Sequence, residues 1–159
     1  MKVIWAPWRI EYITGEKKPG CIFCDKPRER KDRKNLLLYR GDTCFIILNR
    51  FPYTNGHLMV VPYKHTNELN ELNKSEREEL FDLTIKCKNL LKVMQPAGYN
   101  IGMNLGRVAG AGIDDHLHFH VVPRWDGDTN FMPVLGNIKV MPEYLEDTYD
   151  KLKKELQSK

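Results

Sequence analysis

"HLHFHVVPRW", residues 116–125, places histidine at every second position, at His116, His118 and His120. Side chains alternate across a strand, so the three imidazoles share one face while Leu117, Phe119 and Val121 share the other. The apolar face belongs in a core, which leaves the histidine face for chemistry. Same-face Cβ atoms lie about 7 Å apart at a strand rise of about 3.3 Å per residue. Neighbouring rings can share a ligand, but three from a regular strand do not readily close on one ion. A metal site, a catalytic site and a division between the two all stay open. Buried polar rings each need a partner, and three in strict alternation argue against simple packing.

"LLLYR" (36–40) and "CFIILN" (44–49) flank the turn-like "GDT" and predict a hairpin. "GHLMVVPY" (56–63) predicts a third strand and "YNIGMNLG" (99–106) a further one before the histidine strand. "SEREELFDLTIKCKNLLKVM" (75–94) predicts a helix, with Ser75 and Glu78 as a capping box and Leu80, Phe81, Thr84, Cys87, Leu91 and Met94 at helical spacing, closed by Pro96 and Gly98. A C-terminal helix follows Pro142, with Leu145, Tyr149, Leu152 and Leu156 as its stripe. Strands, a helix and more strands indicate an α+β fold with a mainly antiparallel sheet, a long central helix and a C-terminal helix.

At 159 residues the chain suits a single domain, residues 1–159, with an irregular N-terminal segment 1–35, a core 36–125 and a C-terminal extension 126–159. The net charge of +4 with 29% charged residues fits anionic small ligands better than a nucleic-acid polymer. The mixed-charge run "KPRERKDRKN" (26–35) reads as a solvated loop. No apolar run approaches the roughly 20 residues that span a bilayer, and "MKVIWAPWRIEY" lacks a signal-peptide pattern, so no membrane association and a cytoplasmic location are expected. Cys44 and Cys87 fall in apolar segments and read as core residues. Cys21 and Cys24 form a Cys-x2-Cys pair, half of a zinc knuckle or two free thiols; a thioredoxin-like reading lacks its strand-to-helix context.

The loop "NLGRVAGAG" (104–112) carries Gly106, Gly110 and Gly112, which allow backbone N–H groups to approach an anion, although a plain hairpin connection reads equally well. Neutral imidazole is a competent nucleophile near pH 7 when its second nitrogen keeps a proton held by an acceptor, either another imidazole or a backbone carbonyl. A further imidazole can then donate to phosphate oxygens as charge builds. No Asp/Glu cluster suits a catalytic magnesium, so no catalytic metal is expected.

His116-Leu117-His118-Phe119-His120-Val121-Val122 resembles the signature of the histidine-triad (HIT) nucleotide hydrolases and transferases. "LNRFPYTNGHLMVVPYKH" (48–65) resembles the family's upstream segment, and the match in order spans most of residues 21–125. "WAPWR" (5–9) and "HVVPRWDGDTNFMPVLGNIKVMP" (120–142) look like the branch containing bacterial diadenosine tetraphosphate (Ap4A) phosphorylases. The resemblance implies a HIT-like fold, a homodimer, and a covalent nucleotidyl-histidine intermediate formed from a nucleotide or dinucleoside polyphosphate. It implies His118 as nucleophile, His116 behind it fixing its tautomer, and His120 at the phosphate and leaving oxygen. It assigns Asn49 to the ribose, Asn104, Gly106 and Gly112 to the phosphates, and Trp125 to the substrate border.

The same resemblance completes the metal set. Cys21 and Cys24 would be joined by His65, at the end of Pro-x-x-His, and by His116 around a structural Zn2+ that braces His118 from behind. His57 is left as a packing or hydrogen-bonding residue. One departure stands out: where the family often carries Gln or Ser to assist the leaving group, this chain reads Gly112-Ile113. That departure keeps open a nucleotide-binding regulatory module with little turnover, and three histidines on one catalytic zinc form a third reading.

Overall fold

Apolar residues on both sides of a strand require cover on both faces of the sheet, and the runs "CFIIL" and "LMVVP" have no polar side. A computed structural model describes residues 20–128 and 141–158. "WAPWR" and residues 129–140 lie outside the described residues. Two short helices, α1 (Ile22–Arg28) and α2 (Asp32–Asn35), lead into β1 (Leu37–Arg40), β2 (Cys44–Leu48) and β3 (Leu58–Pro62). Helix α3 (Lys74–Leu90), β4 (Gly98–Gly102), β5 (Phe119–Arg124) and α4 (Leu145–Gln157) follow. The strands form one antiparallel sheet in the order β1-β2-β3-β5-β4, which meets the α+β expectation.

Alternation divides the core. Cys44, Ile46 and Leu48 of β2, Leu58 and Val60 of β3, and Leu117 and Val121 pack with Leu80, Leu83, Cys87 and Leu90 of α3 and with Tyr149 and Leu152 of α4. Phe45, Ile47, Met59 and Val61 face the other side, where Phe23 of α1 covers them. The histidines fall on this second face, because Leu117 and Val121 occupy the first.

Several boundaries differ from the sequence reading. The helix begins at Lys74, with Asn73 rather than Ser75 as its cap: Glu76 N donates to Asn73 Oδ1 at 2.9 Å and Asn73 N donates to Glu76 Oε2 at 2.8 Å. Two capping registers overlap in "NKSEREE", and asparagine takes the cap, leaving Glu78 to pair with Lys74 at 3.6 Å. Phe81 is 61% exposed, while Leu83 and Leu90 fill the buried stripe. The helix tightens into a 3-10 turn over Leu91–Met94 and ends at Gln95 in the left-handed region. The run 26–35 is not one loop: residues 26–28 end α1 and residues 32–35 form α2, with Pro27 and Asn35 buried. Its charges make specific pairs, Arg33 with Asp150 of α4 at 2.7 Å and Asp32 with Arg40 at 2.7 Å.

Two glycines answer to close approach. A Cβ at Gly41 would lie 2.2 Å from Glu79 Oε1, and the Glu79 carboxylate accepts the N–H groups of Asp42 and Cys44 at 2.8 and 3.0 Å, so the bare backbone lets α3 pin the β1–β2 turn. Gly56 has φ +75° and a Cβ there would meet Met94 Sδ at 2.8 Å, which seats the β2–β3 turn on the end of the central helix.

Candidate active site

The paired part of the histidine strand starts at Phe119, so only His120 lies in the ladder, opposite Met59. His116 and His118 precede it. Their side chains are nonetheless buried on the same face as His120, with the Phe23 ring 5.5 Å from His116 and 5.0 Å from His118. Packing of Leu117, Phe119 and Val121 on the opposite core keeps the alternation beyond the ladder.

Each ring is held in one tautomer by its neighbours. His118 Nδ1 donates to the His116 carbonyl oxygen at 2.8 Å, leaving the Nε2 lone pair for chemistry. Of the two acceptors considered, an imidazole or a backbone carbonyl, the hold on His118 comes from the His116 backbone carbonyl. His116 Nε2 donates to Pro62 O at 2.9 Å, so its Nδ1 lone pair points the other way. His120 is fixed through His57. Tyr53 N donates to His57 Nδ1 at 3.1 Å, so His57 carries its proton on Nε2 and donates to His120 Nδ1 at 2.9 Å. Asn49 Nδ2 also lies 3.2 Å from His57 Nδ1, with Asn49 Oδ1 accepting from Phe51 N.

This relay leaves His120 with N–H on Nε2. That buried nitrogen has no hydrogen-bond partner among the described residues. A buried orphan donor is costly unless a ligand satisfies it. The His118 and His120 ring centroids are 4.8 Å apart with planes at 77°, so the His118 Nε2 lone pair and the His120 Nε2–H belong to adjacent rings. Burial lowers the pKa of His118, and burial followed by the neighbouring His118 lowers that of His120 to about 4. Both rings are therefore neutral at pH 7.

The other side of His116 forms a second cluster. Its Nδ1 lies 3.2 Å from Cys21 Sγ, 3.7 Å from Cys24 Sγ and 3.2 Å from His65 Nδ1, and Cys24 Sγ lies 3.5 Å from His65 Nδ1. All four ligand atoms fall within 4.8 Å of one another. Tetrahedral zinc with Zn–S near 2.3 Å and Zn–N near 2.0 Å requires ligand–ligand edges of about 3.3–3.8 Å. The residues present therefore fit the metal. Among the described residues no other group of three or more His, Cys, Asp or Glu has such geometry. His116 groups with Cys21, Cys24 and His65 rather than with His118 and His120, which counts against the three-histidine zinc reading.

The remaining sequence-selected residues are placed less centrally. Asn104 Nδ2 reaches Gly110 O at 3.5 Å across the glycine loop. Gly106 and Gly110 have φ of +82° and +93°, but the N–H groups of Ala109, Gly110 and Ala111 turn inward to the loop's own carbonyls, so those three donors are not a nest. Gly112 is exposed, and Ile113 packs on the Phe23 face of the core, which accounts physically for an apolar residue where a polar one was expected. Trp125 Nε1 donates to Met94 O at 3.2 Å. His57, expected as a packing or hydrogen-bonding residue, is fully buried and bonded to His120, while sequence reasoning did not select Phe23 or Tyr53. Parity held the signal for His57: it stands two residues before Met59, the partner of His120, and so shares its face.

A family model described as HIT domain matches residues 30–127. An AP-4-A phosphorylase of Mycobacterium tuberculosis is 40% identical over 155 residues, covering 91% of this chain and 79% of that protein. An adenosine 5'-monophosphoramidase of Schizosaccharomyces pombe is 30% identical over 105 residues, covering 66% of this chain and 74% of that one. A Zn-bound histidine triad family protein from Mycobacterium smegmatis superposes with a TM-score of 0.69 at 25% identity, over 87% of this chain and 94% of that chain.

Proposed function

The chain belongs to the HIT domain family, and from that premise we propose that it is a nucleotidyl hydrolase or transferase that works through His118, with Ap4A phosphorolysis as its reaction. The observation that carries the reading is the pairing of a His118 Nε2 lone pair with an unpartnered His120 Nε2–H on adjacent rings. The 40% identical AP-4-A phosphorylase supports the choice of substrate.

In the reaction, His118 Nε2 forms a bond to the α-phosphorus of a dinucleoside polyphosphate as the bond to the bridging oxygen breaks. The positive charge that develops on the ring is shared through Nδ1–H with the His116 carbonyl. His120 Nε2–H donates to the phosphate oxygens as the leaving polyphosphate gains charge, in a site where burial strengthens each such bond. Inorganic phosphate or water then attacks the same phosphorus, and the P–N bond returns its electron pair to His118. Asn49 binds the ribose, Asn104 and the loop of Gly106 and Gly112 bind the phosphates, and Trp125 borders the substrate. A nucleotide-binding module without turnover is the weaker reading, because it gives no use to the fixed tautomers of both rings.

We read Cys21, Cys24, His65 and His116 as the ligands of a structural Zn2+, a reading supported by their tetrahedral spacing and by the Zn-bound similar structure. When bound, the ion supplies cross-linking of α1 to the sheet rather than Lewis-acid chemistry. The chain then acts as a single-domain homodimer: β4 is an edge strand with Ile101 exposed, and Phe81 and Ile85 of α3 offer apolar surface. Its free cysteines fit the cytoplasm. No described helix is long and apolar enough to cross a membrane. A panel of nucleoside phosphates and dinucleoside polyphosphates, with and without inorganic phosphate, tests the function by product mass. ADP formed from Ap4A only with phosphate supports the reading; AMP and ATP formed equally with or without it would make the protein a hydrolase.

A further inference from the structure

Asn55, Glu143 and Thr148 meet in a polar knot where the C-terminal segment joins the β2–β3 turn. Asn55 Nδ2 donates to Glu143 Oε2 at 3.1 Å, and Thr148 Oγ1 lies 2.7 Å from that oxygen and 3.1 Å from Asn55 Oδ1. Lys151 ion-pairs with the other carboxylate oxygen. Asn55 and Thr148 are both buried. Buried amides and hydroxyls are costly when unpaired, so these bonds fix where α4 meets the β2–β3 turn.

That turn is also the support of His120. It runs from Asn49 to His57 and supplies the Tyr53 N–H that sets the His57 tautomer. The Tyr53 ring lies 4.6 Å from the His57 ring and 5.7 Å from that of His120. Thr54 Oγ1 ties the turn to Pro123 O of β5 at 2.8 Å, and Gly56 seats it against Met94. Asn55 stands between these ties, and among the described residues its side-chain partners are Glu143 and Thr148 of the C-terminal segment. The family model ends at residue 127, so Glu143 and Thr148 lie beyond the part of the chain that it describes.

We propose that Glu143 and Thr148 are positioning residues for His120: by clamping Asn55 they hold the β2–β3 turn so that Tyr53 N–H, His57 and His120 keep one proton arrangement. The proposal rests on the reading of His120 as a donor to phosphate. A loosened turn lets His57 Nδ1 lose its two donors, Tyr53 N–H and Asn49 Nδ2, which both belong to that turn, and His57 and His120 then exchange tautomers. In the exchanged form His120 Nε2 is an acceptor, which repels a phosphate oxygen where the working form binds it.

The test uses the full-length zinc-loaded protein with Thr148→Val, Thr148→Ser, Glu143→Gln and Asp150→Asn. Asp150→Asn weakens the Arg33 fork on the same helix without touching the knot. Ring nitrogen chemical shifts of His120 report its tautomer directly, and kcat and KM with Ap4A report its consequence. The account expects Thr148→Val and Glu143→Gln to move the His120 nitrogens toward averaged values and to lower kcat about tenfold with KM within about twofold. Thr148→Ser and Asp150→Asn should match the parent protein in both. Unchanged ring nitrogens in a folded Thr148→Val protein overturn the proposal, as does an Asp150→Asn protein that changes as much as Thr148→Val. If Glu143→Gln does not fold, the Thr148 pair decides alone, since it exchanges a hydroxyl for a methyl group. Because the tautomer is read without turnover, absence of Ap4A cleavage would count against the function and leave this inference standing or falling on the nitrogen shifts.

Discussion

His57 Nε2 donates to His120 Nδ1 across 2.9 Å, and this bond decides which nitrogen of His120 faces the pocket. His57→Leu removes that donor and leaves His120 Nδ1 unpaired. The expected result is a fall in kcat of about 100-fold with KM little changed, together with a stability loss of about 1–3 kcal/mol for the unpaired ring, read by steady-state kinetics and urea unfolding. A protein with normal kcat would show that His120 needs no fixed tautomer.

The metal account predicts that Cys21→Ser loses zinc and that His118→Asn keeps it. His118 gives no ligand atom to the cluster, whereas Cys21 Sγ sits 3.2 Å from His116 Nδ1. Metal analysis should find about one equivalent in the parent and in His118→Asn, and little in Cys21→Ser, whose melting temperature should fall by on the order of 10 °C. Zinc lost from His118→Asn instead would return the triad to a shared metal site.

Phe23 joins both clusters, because its ring packs on His116 and His118 while closing the second core face. Phe23→Ala should cost about 3–5 kcal/mol by the loss of a fully buried aromatic side chain. Chelator challenge should strip its zinc faster than that of the parent, since Cys21 and Cys24 flank Phe23 on the same turn of chain. Equal rates would mean that the N-terminal helix is held independently of this ring.

Acid should weaken the fold through His120. Burial, followed by His118, depresses its pKa to about 4, against about 6.5 in an unfolded chain. Above pH 6.5 both states are neutral and the stabilisation is fully present. As pH falls from 6.5 toward 4 the unfolded chain binds a proton that the folded chain refuses, so stability drops through that window. Urea midpoints at pH 7 and pH 5 should show the decline, with a smaller decline in His120→Asn. An equal decline in that variant would place the titration elsewhere.

Alternation made the histidine face and the sheet legible in the sequence, because strict period-two patterning is set by the pleat and survives even where His116 and His118 leave the hydrogen-bonded ladder. The cluster of Cys21, Cys24, His65 and His116 was legible only through family resemblance. Spacing alone offers one knuckle, and the remaining ligands come from the ends of two distant segments. Short-range competition hid other features. "NKSEREE" contains two capping registers, and propensity does not choose between them. Charge density concealed the helices of residues 22–35, in which Arg33 pairs with Asp150 of α4 and Asp32 with Arg40 of β1. The Asn55–Glu143–Thr148 knot joins residues far apart in sequence, and no periodicity announces such a contact.

Catalysis as proposed stands on His118 Nε2 taking the nucleotidyl group. The most direct measurement is rapid-quench trapping with Ap4A labelled at the α-phosphorus, followed by peptide mapping under conditions that preserve P–N bonds. The account predicts near-stoichiometric label on His118 that is chased to ADP by inorganic phosphate, and no label in His118→Asn, whose turnover should fall at least about a thousand-fold. Turnover by the parent with no labelled histidine, or with label on another residue, would contradict it.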